Sequence, residues 1–431
     1  MESSQEELGG ATIPNLTVSL IKSIVGGGVL ALPAGFAALG ASPDIVPMAC
    51  FTILCSGALN AFYFRLMGQV CETTQATTYR QAWERTVGHE TSPLVAAVVT
   101  SKTALACLAY SIILADSGQA LAQAAGFADV TRAEALLVIT SVALVPLTLR
   151  RDITSLAPFS FLGLLGVLIT TATVVTRYQD GSYVAGSGTF VQDLSAQMQP
   201  AFVESVSSTA ASAAAVPAGS WPGVVLACTL ATAFVAHYNA PRFYFELQDS
   251  SVERFQQVTF ASYIVAAVLF IIVGSCGFLT FGQASQGYIL NNYSPSDPLA
   301  NFSKTALTCS ILFTYPLPFV GLRDGCLDLL QVSNRDKAHA VTTLALLGII
   351  TAGALSVQDL ALVLSVGGGT FSTAVSAVFP VLMYLAMESD QKSVAEQFVA
   401  AVGMVLSIGI GITGVNLALA KAAAAAAATS T

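Results

Sequence analysis

The first apolar segment of the chain is interrupted by three consecutive glycines, Gly26, Gly27 and Gly28, and Pro33 follows shortly after them. Each glycine costs a helix up to about 1 kcal/mol relative to alanine, and a proline removes one backbone donor. We therefore expect the helix to unwind here and to expose N–H groups and carbonyls. The half-helix that follows would point its positive end at the gap, which suits a carboxylate. The alternative is that the glycines serve only close helix packing.

A second polar interruption, His237, Tyr238, Asn239 and Pro241, lies in the middle of a later apolar segment. Polar groups at such a depth in a membrane are costly unless they face a polar cavity. Paired interruptions at corresponding places in two halves of a chain are typical of inverted-repeat membrane proteins, whose ligand site lies near the midplane. The imidazole of His237 has two interpretations: a proton sensor, because imidazole titrates near physiological pH, or a hydrogen-bonded group that fixes the break.

Three further side chains inside apolar segments could do chemistry. The Lys22 ammonium either mimics a bound cation or reaches to the membrane surface, and the second alternative is favoured. The Tyr110 phenol either contacts a ligand or packs in the core. Asp116 lies further along the same segment, where its carboxylate either pairs with a basic group or accepts protons.

The helices that must position these residues are predicted by the composition. Of the 431 residues, 54% are hydrophobic and 10% are charged, whereas soluble domains carry about 25% charged residues. A helix needs about 20 apolar residues to cross a membrane. The sequence predicts an all-α integral membrane protein with about eleven transmembrane helices, at residues 13–39, 44–69, 100–125, 134–149, 157–177, 221–247, 256–282, 299–330, 336–356, 359–386 and 396–420.

Several functions are excluded by what the sequence lacks. No Lys/Arg cluster could follow a phosphate backbone, so nucleic acid is not an expected partner. The eight cysteines show no metal-ligand spacing, and no catalytic motif is present, so neither an enzyme nor a metal or other cofactor is expected. The net charge of −8 is interpreted as solvation. The lipid bilayer is the expected surrounding, and no obligate protein partner is indicated.

The basic residues predict the orientation and the organisation of the chain. Most Lys and Arg residues fall on one side if the N-terminus is cytoplasmic, as the positive-inside rule requires. The expected parts are a cytoplasmic tail at 1–12, a ten-helix core at 13–390 with an outer loop at 178–220, and an eleventh helix with the C-terminal tail at 391–431.

Two N-glycosylation sequons begin at Asn292 and Asn301, on or near an outer loop in this topology. Whether either asparagine carries a glycan is left open by the sequence.

Four segments of the chain resemble the amino acid/auxin permease family, which includes sodium-coupled, proton-coupled and vacuolar amino acid transporters. Residues 15–40 are similar to the first helix of the family, with its small-residue triplet and Leu-Pro. Residues 231–247 are similar to the sixth helix, residues 314–325 to the eighth, and the glycines at 367–369 with Pro380 to the tenth. The resemblance covers nearly the whole membrane part of the chain.

The resemblance implies a LeuT-like core of two inverted five-helix halves, with the first and sixth helices broken, plus one extra helix. It implies that the substrate carboxylate meets backbone N–H groups at the glycines and that the amino group meets carbonyls near Phe234 and Val235. The substrate-binding residues implied are Ile24, Val25, Gly26, Gly27, Gly28, Val29, Tyr110, Phe234, Val235, Ala236, His237 and Asn239.

The resemblance also implies a coupling cation between the first and eighth helices. The residues implied are Ser19, Ser23, Val25, Ser310 and Thr314. Relatives often carry Asn or His at the position of Ser19, so the ion, H+ or Na+, stays open. Protons are slightly favoured, with His237 or Asp116 as the titrating group.

The function implied is secondary active transport of amino acids, more specifically neutral ones, in the plasma membrane or a vacuolar/endolysosomal membrane. The alternative is a membrane sensor that binds amino acids at the same site. The short N-terminal tail makes the sensor the weaker interpretation.

The orientation can be tested with epitope tags at residue 2 and at residue 187. We expect the first tag to be accessible only from the cytoplasmic side and the second only from the opposite side, because the basic residues are retained inside. The measurement is antibody labelling of intact and permeabilised membranes. Labelling of both tags from one side of an intact membrane would contradict this topology.

Overall fold

The structure is a computed structural model that describes residues 10–150, 160–202, 223–332, 334–388 and 392–429. It is a bundle of long helices, which we number as membrane spans in chain order. The first to sixth spans are Ile13–Ile24 with Gly27–Ala37, Val46–Thr74, Ser92–Ala124, Arg132–Leu149, Ser160–Gln179 and Gly223–Glu246. The seventh to eleventh are Val252–Phe281, Pro298–Leu329, Arg335–Ser356, Leu360–Ala386 and Val394–Thr429.

The prediction of an all-helical membrane protein with about eleven spans is confirmed. Within the described ranges, 9 helices are long and apolar enough to cross a membrane, and the bent first pair raises the number to 10. The fifth span, a helix of 20 residues, is a further spanning helix. The beginning of its predicted range, 157–177, lies outside the described residues. The third span begins at Ser92, earlier than the predicted residue 100, because Pro93 occupies the first turn, where proline is tolerated.

Short helical features outside the predicted segments include the 3-10 turn Ile289–Asn292 before the eighth span. Tyr79–Thr86 forms a helix between the second and third spans, capped by the Thr78 side chain. A short 3-10 turn, Val191–Asp193, lies in the part of the 178–220 loop that the structure describes, which ends at residue 202.

The sixth and tenth spans form the centre of the bundle and the eleventh its periphery. In the most apolar stretch of each span, 72% of the residues of the sixth span and 61% of those of the tenth are buried. In the eleventh span the share is 22%. The first span is also central, since Val29, Leu30 and Leu32 are fully buried. The sixth span and the second half of the first span are thus shielded from lipid by other helices.

Glycine brings the tenth span into backbone contact with the sixth. A Cβ on Gly368 would lie 1.7 Å from the carbonyl oxygen of Cys228, so no other residue fits there. The helix widens into a π-turn at Gly368–Ser372. The eleventh span packs on the neighbouring glycine, since a Cβ on Gly411 would lie 2.4 Å from the Gly369 carbonyl oxygen.

A buried ion pair stabilises the end of the bundle that lies opposite to the N-terminus. Asp297 is completely buried and caps the eighth span through the N–H groups of Leu299 and Ala300. Arg177, at the end of the fifth span, donates to both carboxylate oxygens of Asp297, at 2.5 and 2.8 Å. The hydroxyl of Tyr183 donates to the same carboxylate at 3.0 Å and so attaches the following loop.

The first sequon is closed to glycosylation in this fold. Asn292 is fully buried, and its amide group donates to the Ala284 carbonyl and accepts from the Gln286 N–H, both at 2.8 Å. Asn301 is partly exposed, and its amide donates to the Pro295 carbonyl at 2.7 Å.

Candidate functional site

The first span breaks at the glycines, as predicted. Its first half ends at Ile24, Gly26 is extended with φ −115° and ψ −156°, and a 3-10 turn covers Gly27–Ala31. The second half begins at Leu32, with Pro33 in its first turn, and the two halves are bent by 46°. The chain thus changes direction where its residues have the lowest helix propensity.

The break leaves two backbone donors without a partner. Gly26 donates to the Ile24 carbonyl at 2.9 Å, and Val29 donates to the Gly26 carbonyl at 3.4 Å. Among the described residues, the N–H groups of Gly27 and Gly28 donate to no acceptor. The first N–H groups of a helical turn have no partner within the turn, and such donors are suited to a ligand oxygen.

The sixth span breaks at the predicted place as well. Its first half ends at Ala233, a 3-10 turn covers His237–Asn239, and the second half begins at Ala240. The Phe234 carbonyl accepts from the Tyr263 hydroxyl at 3.2 Å. Within the described part of the chain, the Val235 carbonyl accepts no hydrogen bond. The second break therefore presents acceptors where the first presents donors.

The two breaks touch each other through Gly28. A Cβ on this glycine would lie 3.0 Å from the Cα of Ala233, the last residue before the sixth-span break. Any other residue at this position would require the two backbones to move slightly apart. The donors of the first span and the acceptors of the sixth therefore lie at the same level of the bundle.

The side chains at the sixth-span break face away from the first span. His237 is completely buried, its Nε2 lies 3.0 Å from the Asn60 carbonyl oxygen, and its ring packs edge-on to Phe64. Phe234 stacks on Tyr263 with ring centroids 5.9 Å apart. Of the two interpretations of His237, this geometry favours the one in which the imidazole fixes the break against the second span.

A cavity of ≈ 30 Å³ lies beside the first-span break, between the first, third, fifth and eighth spans. We call it the central cavity. It brings together six of the implied site residues: Val25, Gly26, Gly27, Tyr110, Ser310 and Thr314. Its other lining residues are Lys22, Gly163, Val167, Leu307 and Ile311.

Tyr110 covers the glycines from the third span. A Cβ on Gly26 would lie 3.5 Å from its hydroxyl oxygen, and one on Gly27 would lie 3.4 Å from its ring carbon Cε1. The phenol thus lies against the unwound backbone, which agrees with the ligand-contact interpretation of this residue.

The hydroxyls of Ser310 and Thr314 have their hydrogens engaged elsewhere. Ser310 donates to the Gly163 carbonyl at 3.0 Å, and Thr314 donates to the Ser310 carbonyl at 2.8 Å. A hydroxyl oxygen has two lone pairs in addition to its proton. Both oxygens are therefore free to act as acceptors, and both border the central cavity.

Ser19 lies outside the central cavity. Its side chain is exposed and donates to the Asn15 carbonyl of its own helix at 3.0 Å. The other implied residues that do not line the cavity are Ser23, Ile24, Gly28, Val29, Phe234, Val235, Ala236, His237 and Asn239. Gly28 and the sixth-span residues still form the adjoining backbone breaks, whereas Ser19 lies five residues before Ile24, where the first half-helix ends.

Of the two interpretations of Asp116, the structure favours the one in which the carboxylate pairs with a basic group. Its carboxylate accepts from Arg132 Nε at 2.6 Å and from the Asn291 side chain at 2.9 Å. The pair connects the third span to the start of the fourth and to the loop before the eighth span.

Sequence reasoning missed the fifth span as a wall of the site. A Cβ on Gly166 would lie 2.6 Å from the Ser310 Cβ, and Gly163 accepts the Ser310 hydrogen bond. The signal was present as two glycines three residues apart on one helix face, since small residues allow close helix contact in membranes.

A second cavity of ≈ 60 Å³ lies between the second, sixth, tenth and eleventh spans. Its polar lining comes from Ser56, Asn60, Tyr63, Thr373, Ser376 and Ser407. The Asn60 side-chain oxygen is buried without a partner in the described residues. This cavity does not reach the unpaired donors of Gly27 and Gly28, so the central cavity is the better candidate for ligand binding.

Two broken helices that touch each other inside a helical bundle, with a cavity beside the first break, are the arrangement of a membrane transporter with a LeuT-like fold. The chain belongs to a particular family of this class. The model of the family described as transmembrane amino acid transporter protein matches residues 9–422. The resemblance to amino acid/auxin permeases inferred from the sequence is thereby confirmed.

Named relatives cover most of the chain at low identity. A Danio rerio protein with the name "Putative sodium-coupled neutral amino acid transporter 11" is 22% identical over 93% of this chain and 84% of its own length. Vacuolar amino acid transporter 2 of Saccharomyces cerevisiae is 22% identical over 88% of this chain and 77% of its own length.

The fold has a counterpart among solved structures. The crystal structure of MhsT in complex with L-phenylalanine matches 94% of this chain and 100% of its own chain, with a TM-score of 0.55 and 11% sequence identity. At this identity the likeness is one of fold. It confirms the LeuT-like arrangement of two five-span halves with an additional eleventh span.

The role of the first-span break can be tested with Gly27→Leu. A Cβ here would lie 3.1 Å from Ile113 Cδ1, and the rest of the side chain would fill the small cavity beside the two donors. We expect equilibrium binding of a neutral amino acid to the purified protein to weaken by about tenfold or more, equal to about 1.4 kcal/mol.

The matched control is Gly409→Leu in the eleventh span, where an added Cβ meets nothing within 4 Å. It should keep wild-type binding and a wild-type elution profile. Wild-type affinity in a folded Gly27→Leu protein would remove the first-span break from the site.

Proposed function

We propose that this protein is a secondary active transporter that moves neutral amino acids across a membrane by alternating access, coupled to a proton or sodium gradient. The observation that carries the proposal is the pair of unpaired N–H groups at Gly27 and Gly28, held at the level of the unpaired Val235 carbonyl in the sixth span. Membership of an amino acid transporter family supports it.

The two breaks match the charged ends of an α-amino acid. The donors of Gly27 and Gly28, at the start of a helical turn, suit the carboxylate. The carbonyls of Phe234 and Val235 suit the ammonium, because the Phe234 oxygen has one lone pair left beside the Tyr263 bond and the Val235 oxygen has both. Every zwitterionic amino acid carries both groups, so this recognition does not depend on the side chain.

Apolar walls favour neutral substrates. Beside the glycines the central cavity is bordered by Val25, Val167, Leu307 and Ile311, and among its lining residues none is acidic. A positively charged substrate side chain would have to be desolvated against this surface without an acidic partner, which is costly. The word "neutral" in the name of the zebrafish relative agrees with this proposal.

The size of the central cavity supports alternating access. A cavity needs about 10–15 Å³ to hold one water, so ≈ 30 Å³ accommodates only about two waters or one small ion. An amino acid is larger, and its entry requires the half-helices to move apart. The two breaks provide the places at which half-helices can move relative to each other.

The chain ahead of the first span connects two of the half-helices. The Ala11 N–H donates to the Glu246 carbonyl, and the Gln248 N–H donates to the Ala11 carbonyl, both at 3.0 Å. Glu246 ends the second half of the sixth span. The first half of the first span and the second half of the sixth are therefore joined at their ends and are expected to move together.

The coupling ion is proposed to act between the first and eighth spans. The acceptor oxygens of Ser310 and Thr314 face the central cavity beside the residue that precedes the break, Val25. Hydroxyl and carbonyl oxygens are suitable ligands for a small cation. A cation held there would attach the eighth span to the first half-helix and would thereby link ion binding to the substrate site.

The membrane proposed is the plasma membrane or a vacuolar/endolysosomal membrane, with the N-terminus cytoplasmic. The charge distribution along the sequence supports this orientation, and the vacuolar name of the yeast relative supports the second membrane.

The coupling role can be tested with Thr314→Val, which keeps the side-chain shape and removes one oxygen. We expect the stimulation of amino acid uptake by an imposed proton or sodium gradient to fall about fivefold or more, with a smaller effect on equilibrium amino acid binding. The measurement is radiolabelled uptake into proteoliposomes with a panel of amino acids under each gradient.

The control is Thr305→Val on the same span, whose exposed hydroxyl makes the same bond to its own helix, to the Asn301 carbonyl at 2.9 Å. It should behave as wild type. Uptake that responds to neither gradient and is unchanged by Thr314→Val would show a facilitator. Failure to take up any amino acid would contradict the proposed function itself.

A further inference from the structure

The side chain of Lys22 reaches into the central cavity. Its Cε lies 3.7 Å from the point where a Cβ on Gly163 would be. Thr314 Oγ1 lies 3.0 Å and Ser310 Oγ 4.0 Å from the same point. The end of the lysine side chain and two hydroxyl oxygens of the eighth span therefore all lie within about 4 Å of the same point beside Gly163 in the fifth span.

The Lys22 ammonium has no anionic partner there. Within the described ranges it forms no ion pair or hydrogen bond, and the charged group that acts on it is Arg242, which is also positive. A charged group inside a membrane protein is costly unless it meets polar atoms or a wet cavity. Lys22 is partly exposed, and the polar side chains that line the central cavity with it include Ser310 and Thr314.

The two hydroxyls complement an ammonium group. An ammonium has three donors and no acceptor. Ser310 and Thr314 have both given their hydrogens to backbone carbonyls, so the lone pairs that border the cavity can only accept. Gly163 has no side chain, which leaves room for the end of the lysine between them.

We infer that the Lys22 ammonium is the resident cation of the central cavity and occupies the position between the first and eighth spans that a sodium ion would otherwise take. The inference rests on the proposed function and specifies its coupling site. Lys22 lines the central cavity, so a sodium ion there would lie close to the ammonium, and two like charges at such a separation repel each other strongly. Transport therefore uses no sodium ion at this site.

The direct test is binding of radioactive ²²Na⁺ to the purified full-length protein. Wild type should show no saturable binding that depends on Thr314. Lys22→Met, which keeps the length of the side chain and removes its charge, should bind ²²Na⁺, and the Lys22→Met/Thr314→Val double variant should lose that binding again.

The matched control is Lys102→Met. Lys102 is also buried, but its ammonium lies 4.3 Å from the ring centroid of Tyr238 and does not line the central cavity. This variant should bind no more ²²Na⁺ than wild type. Elution profile and amino acid binding establish that each variant is folded.

Uptake gives a second readout that does not depend on the stability of any variant. Replacing sodium by potassium on both sides of wild-type proteoliposomes should leave uptake unchanged. Saturable ²²Na⁺ binding to wild type that Thr314→Val removes, or wild-type uptake that needs sodium, would overturn the inference. Absence of amino acid uptake under every gradient would instead contradict the proposed function and leave the ²²Na⁺ result to decide the role of Lys22.

Discussion

The constraint on which this structure depends is that lipid offers no hydrogen-bond partner to a polypeptide backbone. Helices satisfy their own N–H and carbonyl groups, so a bundle of long helices is the stable form of such an apolar chain. Each interruption of a helix must then be buried in protein or border a cavity. The breaks at Gly26–Gly28 and at His237–Asn239 meet this requirement by lying in the two central spans.

Close backbone contacts hold the two breaks together. Gly28 brings the first span onto Ala233, and Gly368 brings the tenth span onto Cys228. The backbone carbonyl oxygen of Asn60, in the second span, lies 3.0 Å from His237 Nε2. This contact stabilises the sixth-span break from outside the central cavity. The N–H groups of Gly27 and Gly28 and the Val235 carbonyl form no hydrogen bond within the described residues, and for this reason we propose them as part of the amino acid site.

Much of this architecture could be predicted from the sequence, because the relevant signals are local. Twenty-residue apolar segments predict spans, and Gly26–Gly28 and Pro241 predict breaks wherever they occur in a helix. The choice between the two interpretations of His237 could not be made, because it depends on Asn60, 177 residues away. The position of Ser19 on an exposed face was missed for a related reason: the face that a helix buries is set by its neighbours.

Lys22 shows the same limit. The sequence favoured a side chain that extends to the membrane surface, whereas the structure directs it between Gly163 and Thr314, residues of two other spans. Nothing near Lys22 in the sequence indicates that these residues would meet it. The wall formed by the fifth span was recognisable only as two glycines three residues apart, and that spacing does not identify the helix that packs on it.

The central claim is that the N–H groups of Gly27 and Gly28 bind the carboxylate of an amino acid. It is tested most directly by competition of a neutral amino acid and its carboxamide for binding to the purified protein. Hydrogen bonds to a charged group contribute about 1.5–3 kcal/mol each, so the account predicts that the carboxamide competes about 100-fold more weakly or worse. Equal competition by the two compounds would show that the glycine donors do not recognise a carboxylate.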